Sequence, residues 1–354
     1  MSDRYPSGVI VMKALPPTEG HGRLIAFGSA MCETLTVVVD NVGWEDHPPH
    51  VRAGWLRERF AGLGNVRFVS LRDPTPQEPG DHPRFWDVWR DILLGACGSP
   101  PSVVVASERY GVRLASELGA TFIPLDVDRE GVPVSATKVR GDLWENWWSV
   151  IPQARAAYLG RIALEGPEST GKSTLAMHLA RTFGFTYSPE WAKGFIEFTV
   201  REGRPFTEDD LVTIARGQTA SERSLESSAD RVMVHDSTLL TTMTWGLFRY
   251  GRIDPRVEAI FWTEEARAPR ERLFLTPETP FVDDVHRRLA DDPSRPETRE
   301  RFMDLLLAEA ERRNLPYRLL PGGHAEKRDR AMRVFGSLRA PDLPRTPPRD
   351  GPAP

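Results

Sequence analysis

Nine consecutive residues, Gly166-Pro167-Glu168-Ser169-Thr170-Gly171-Lys172-Ser173-Thr174, constrain this chain more than any other stretch. They fit the spacing G-x-x-x-x-G-K-[ST], follow the apolar run Arg161-Ile162-Ala163-Leu164 and open the helical pattern Leu175-Ala176-Met177-His178-Leu179-Ala180. A strand that feeds a glycine turn and then a helix is what a phosphate-binding loop requires. Glycine lets successive backbone N–H groups face phosphate oxygens, and the positive end of the helix dipole faces the same anion. Only five of the 46 basic residues are lysines, so a lysine at this spacing seldom arises by chance. The loop predicts an ATP site in which Lys172 meets the β- and γ-phosphates and the Ser173 hydroxyl meets Mg²⁺. What receives the phosphate is not written in it.

The 354 residues suffice for two domains, each with its own core. A formal net charge of −4 argues against a general nucleic-acid binder, which carries a basic face. Cys32 and Cys97 lack metal-ligand spacing and sit in apolar surroundings, so buried thiols in a reducing compartment are expected. With no leader pattern and no run of 18 apolar residues, the expectation is a cytoplasmic protein without a membrane partner.

Continuous apolar strands alternate with amphipathic helices in both halves, which predicts an α/β protein with two parallel-sheet domains. The boundaries expected are 1–142 for the first domain, 143–159 for a Trp-bearing bridging helix, 160–338 for the second and 339–354 for a disordered tail. That tail, from Ala340 to Pro354, holds six prolines.

Immediately after the first strand comes Lys13-Ala14-Leu15-Pro16-Pro17-Thr18-Glu19-Gly20-His21. The first strand–helix junction of a doubly wound sheet is where ligand phosphates bind. Downstream, Ser135-Ala136-Thr137-Lys138-Val139-Arg140 opens another helix with hydroxyls and a guanidinium fork, a second phosphate-gripping device. Simple helix caps are the plain alternative for Ser135 and Thr137, and a helix-terminal histidine without a role for His21.

In this order the two elements resemble the nucleotidylyltransferase superfamily, with its (H/T)-x-G-H and I-S-x-T-x-[IV]-R patterns. Joined to G-P-E-S-T-G-K-S-T, they resemble the bifunctional nicotinamide mononucleotide adenylyltransferase/ribosylnicotinamide kinase family of bacterial NAD salvage. Ser107-Glu108-Arg109-Tyr110-Gly111, Glu190-Trp191-Ala192-Lys193, His235-Asp236-Ser237-Thr238 and Phe281-Val282-Asp283-Asp284 are similar to that family's stretches. The resemblance covers about residues 7–338. Met12-Lys13-Ala14 stands where the family commonly has Gly-Lys-Phe, and Thr18 replaces the first histidine of H-x-G-H. The chain begins almost at the first strand, so no DNA-binding helix-turn-helix of the kind some relatives carry is expected.

The resemblance implies a nucleotidyltransferase (Rossmann-like) first domain and a P-loop kinase second domain. Nicotinamide riboside and ATP would give nicotinamide mononucleotide at the second site, and a further ATP would convert that product to NAD at the first. Lys13, Thr18 and His21 would stabilise phosphates, while Ser135, Thr137 and Arg140 would hold the leaving pyrophosphate. Trp55, Trp86 and Trp89 are candidates for the pyridine ring, with a core role the alternative for each. In the kinase half, Gly166, Glu168, Ser169, Thr170, Gly171, Lys172, Ser173 and Thr174 would cradle ATP. Asp236 would join Ser173 at Mg²⁺, and Glu190 would take the ribose hydroxyls, with a helix N-cap or first-turn acid the alternative for each. Arg287 and Arg288 would serve as lid cations, a plain solvated loop being the alternative, with Asp283 and Asp284 near the substrate. A kinase with a weak first domain, a nucleotide-sensing regulator and a kinase of other specificity remain open alternatives, as does homo-oligomerisation.

Overall fold

The computed structural model describes residues 3–128, 131, 135–282, 296–341 and 343. It divides into two units, Met1–Arg155 with the segment from Ala340, and Ala156–Arg339.

The first unit runs β1 (Tyr5–Met12), α1 (Glu19–Met31), β2 (Cys32–Val39), α2 (Pro49–Arg59), β3 (Val66–Ser70), α3 (Phe85–Cys97), β4 (Val103–Ala106), α4 (Tyr110–Leu118), β5 (Thr121–Pro124) and α5 (Ala136–Gly141). Its strands pair in parallel in the order β3-β2-β1-β4-β5. Val37, Val38 and Val39 are all fully buried, so both faces of β2 are covered, as the uninterrupted apolar run predicts. The chain steps outward from β1 to β3 and then returns to β4 on β1's other side. That reversal opens a crevice beyond the C-terminal ends of β1 and β4, the usual ligand position in such a sheet.

α6 (Pro152–Tyr158) leads into the second unit. There follow β6 (Gly160–Glu165), α7 (Lys172–Phe183), β7 (Thr186–Ser188), α8 (Trp191–Arg201), α9 (Glu208–Glu226), β8 (Val232–Asp236), α10 (Leu239–Tyr250), α11 (Pro255–Arg267), β9 (Glu271–Leu275), α12 (Pro296–Arg312), β10 (Tyr317–Leu320) and α13 (His324–Gly336). All strands are again parallel, in the order β10-β9-β6-β8-β7. The core formed by α9, α10, α11, β9 and α12 centres on Leu240, Met243, Phe261, Phe274 and Leu306.

One expected element differs. Residues 143–149 are not a helix but turns closed by a short 3-10 stretch, Trp147–Ser149. The Ile151 amide instead donates to Pro17 O at 3.1 Å, and Val150 forms an antiparallel bridge with Thr18. Extended pairing with a distant loop outweighs the local helical pattern, and Pro152 lacks the N–H that a continuous helix would need.

Candidate functional site

In the second unit the loop after β6 is wound by backbone conformation. Gly166 has φ of 142° and a side chain there would lie 2.4 Å from Leu275 O, so only glycine fits. Ser169 (φ 58°) and Gly171 (φ 90°) are also left-handed, and Gly171 caps α7. Lys172 Nζ folds back to donate to Gly166 O and Pro167 O, both at 2.9 Å. The buried Thr170 hydroxyl donates to Pro167 O at 2.9 Å, and Ser173 and Thr174 follow on the first turn of α7.

Residues that no local pattern marks support this loop from below. Arg299 of α12, almost fully buried, donates to Glu168 O at 3.1 Å and to Thr279 O at 2.8 Å. The Thr279 hydroxyl donates in turn to Ser169 O at 2.7 Å. Lys327 of α13 is buried too and donates to Thr276 O at 2.5 Å. Burial, with Arg299 and Lys172 nearby and Glu278 opposing, pushes its ammonium down to about 8. These cations raise the positive potential under an anion-binding loop.

Three carboxylates stand at the strand ends. Glu165 is fully buried and accepts from the hydroxyls of Thr238 and Thr241, which ties the first turn of α10 to β6. Asp236 Oδ2 accepts from the Tyr187 hydroxyl at 3.2 Å, while Oδ1 is buried with no hydrogen-bond partner among the described residues. Glu190 precedes α8. Burial and the neighbouring Asp236 push its carboxyl up to about 7 against the pull of Lys172. Gln218 fixes that corner by accepting from the Trp191 amide at 2.8 Å.

Glu190 also lines an open, partly apolar pocket together with Phe206, Gln218, Thr238, Trp245 and Arg249. The pocket has aromatic walls, with a carboxylate near the lysine of the loop. A concave, partly apolar lining with polar groups at one end is the kind of surface that takes a small molecule. Among the described residues no group of three or more His, Cys, Asp or Glu could hold a metal by itself.

In the first unit the equivalent loop is shaped by side chains. Thr18 caps α1, and its backbone N–H donates to His21 Nδ1 at 3.0 Å, with the Thr18 hydroxyl 2.9 Å from the same nitrogen. A neutral imidazole that accepts at Nδ1 carries its proton on Nε2, so His21 offers an N–H donor. Ala14 is left-handed at φ 50° and fully buried. The fully buried Arg52 joins Lys13 O, Asp40 O and Glu45, fastening the ends of β1 and β2 together. Lys13 itself is exposed, and its charge reaches the buried Asp40.

Arg140 of α5 donates to Leu15 O and to the Thr137 hydroxyl, so α5 and the Lys13–His21 loop are brought together. Ser135 caps α5 by accepting from the Lys138 amide at 3.1 Å. Of the three tryptophans, Trp89 is buried in the core with its indole N–H on Pro76 O at 3.0 Å. Trp86 packs edge-on against Phe85, and Trp55 packs against His47. Asp283, Asp284, Arg287 and Arg288 lie outside the described residues, as does nearly all of the Pro-rich tail.

A family model for an AAA domain matches residues 161–328, within the second unit. The trifunctional NAD biosynthesis/regulator protein NadR of Escherichia coli (strain K12) is 26% identical over 328 residues, covering 88% of this chain and 77% of that protein. NadR of Salmonella typhimurium (strain LT2) is 25% identical over the same span. Along most of its length the chain is similar to the NadR proteins. A crystal structure of NadR in complex with NR superposes with a TM-score of 0.70 at 18% identity, covering 96% of this chain and 99% of that one. Another, with NAD and AMP-PNP, gives 0.67 at 19% identity, covering 95% and 98%. These two share the fold across both units. No helix among the described residues is long and apolar enough to cross a membrane.

Proposed function

We propose that the chain is a two-step enzyme of NAD biosynthesis. Its second unit phosphorylates nicotinamide riboside with ATP, and its first transfers AMP from a further ATP to the resulting mononucleotide, releasing pyrophosphate. The observation that carries this reading is the pair of phosphate-facing loops, each beyond the C-terminal edge of its own parallel sheet, in a chain similar to NadR over 88% of its length.

In the second unit, ATP would draw Lys172 off Gly166 O and Pro167 O onto the β- and γ-phosphates. The riboside would occupy the pocket beside it, with its ring against Trp245 and Phe206. Glu190 would orient the 5′-hydroxyl and accept its proton, a task suited to a carboxyl pushed up to about 7. Mg²⁺ fits this site: Asp236 Oδ1 is a buried carboxylate oxygen without a partner, near the strand end that faces the loop. Ser173 and Asp236 would hold it with the phosphates, and it would supply charge neutralisation on the transferring oxygens.

The first unit has less chemistry to perform. The mononucleotide's own phosphate is the nucleophile, so the protein's tasks are to position the reactants and offset negative charge. Nε2–H of His21 and the Lys13 ammonium would face the reacting phosphates. Arg140, with Ser135 and Thr137, would grip the departing end. Both cysteines are free, and burial raises both thiols, which suits a reducing, cytoplasmic setting.

The test is purified protein with Mg-ATP and either nicotinamide riboside or nicotinamide mononucleotide, with ADP and NAD followed separately. Riboside is expected to yield both products and mononucleotide to yield NAD alone. ADP without NAD would confine the activity to the second unit, and absence of both would overturn the enzymatic reading.

A further inference from the structure

Directly after β8 the chain takes a conformation that serine seldom adopts. Ser237 has φ of 66°, in the left-handed region. Its amide donates to Leu164 O at 3.0 Å, which fixes it to β6 just ahead of the phosphate loop. Strain of this kind persists where the surrounding structure imposes it, and it collects at ligand sites. The two neighbours are engaged elsewhere: Asp236 accepts from Tyr187, and the Thr238 hydroxyl donates to Glu165.

Ser237 lines the pocket of the second unit, is only 4% exposed, and its Oγ has no hydrogen-bond partner among the described residues. Other polar groups of the lining are already committed. Thr241 donates to Glu165 at 2.5 Å, as Thr238 does to the same carboxylate. Gln218 accepts from the Trp191 amide and donates to Glu222, both at 2.8 Å. A buried hydroxyl without a partner destabilises a site until a ligand supplies one.

In a riboside the 5′-oxygen must reach the γ-phosphate at the loop, so the furanose follows immediately and the base lies beyond it. Ser237, tied to β6 just ahead of that loop, therefore meets the sugar end of the substrate. We propose that Ser237 Oγ pairs with a secondary hydroxyl of the ribose, so that the pocket selects ribosides over deoxyribosides. The inference rests on the riboside kinase reading above and adds the residue that reads its sugar.

The test measures kcat/KM with Mg-ATP for nicotinamide riboside and for its 2′-deoxy and 3′-deoxy analogues, in wild type, Ser237→Ala and Ser237→Gly. Wild type is expected to prefer the riboside to at least one analogue by about tenfold or more. Both variants should lose about tenfold of that preference, the scale of one hydrogen bond. Ser237→Gly removes the hydroxyl at a φ that glycine adopts freely, so the result does not depend on alanine being tolerated there. The ratio separates contact with the sugar from general damage, which lowers turnover of all three substrates alike. No preference in wild type, a preference that survives in both variants, or loss of all three substrates in both variants would overturn this inference alone. If wild type phosphorylates none of the three, the inference falls with the kinase reading.

Discussion

The loop Gly166–Gly171 takes its path from left-handed backbone and is propped by Arg299 and Thr279, whereas Lys13–His21 is tied at three successive carbonyl positions by groups from far along the chain. In the former, three left-handed residues and the crowding at Leu275 O define the path. In the latter, Arg52 secures Lys13 O, Arg140 secures Leu15 O and the Ile151 amide secures Pro17 O. The first construction cradles a phosphate with amides and one lysine. The second presents a few side-chain donors from a helix N-terminus. Loss of a single side chain should therefore act differently on the two activities, and each should be separable from the other.

Lys172→Ala is the most severe separation. Removal of the cation that meets the β- and γ-phosphates should lower riboside phosphorylation about 10³-fold, comparable to the loss of a preorganised transition-state donor. NAD formation from mononucleotide should stay within about twofold of wild type, because the first loop owes nothing to Lys172. Parallel loss of both rates would show that the two sites are not independent. His21→Ala is the mirror image. NAD formation from mononucleotide should fall about 10²-fold while ADP release from riboside persists. An unchanged NAD rate would remove His21 from the first site.

The same contrast explains what the sequence discloses. The glycines of the second loop need conformations that only glycine adopts readily, so the motif and its geometry are one fact. The strands were equally legible, because a sheet buried on both faces demands unbroken apolar runs such as Val37-Val38-Val39. Arg299, Thr279 and Lys327, the supports under that loop, carry no local pattern, and Arg299 lies 131 residues from Glu168. The pocket has no sequence signature for a related reason. Trp245 sits on a helix whose apolar face reads as core, and only the placement of α8 and α9 leaves space beside it. Residues 143–149 misled in the opposite direction: their helical pattern is local, while the pairing of Val150 and Ile151 with the Thr18 loop is not.

The pH response should also divide the two activities. A base accepts a proton only when deprotonated, and burial beside Asp236 moves Glu190 up to about 7. Riboside phosphorylation at low substrate should then fall about tenfold per pH unit below that value and level off above it. In Glu190→Gln the residual rate should lose this limb. A limb near the ordinary carboxylate range, or one that survives the substitution, would assign the titration elsewhere. Adenylyl transfer uses no such base, so its profile should not share the Glu190 limb.

The smallest effect lies within the first loop and asks which part of Thr18 holds the imidazole. Nδ1 of His21 meets both the Thr18 amide at 3.0 Å and the Thr18 hydroxyl at 2.9 Å. Thr18→Val keeps the shape and the amide while removing the hydroxyl. If the amide sets the tautomer, Nε2 keeps its proton and NAD formation should fall only about fivefold, the scale of roughly 1 kcal/mol for a lost helix cap. Riboside phosphorylation should not change. A loss as large as that of His21→Ala would mean that the hydroxyl orients the ring, and would make Thr18 the functional counterpart of a second histidine. A fivefold loss keeps the first site's control in the backbone at that one position.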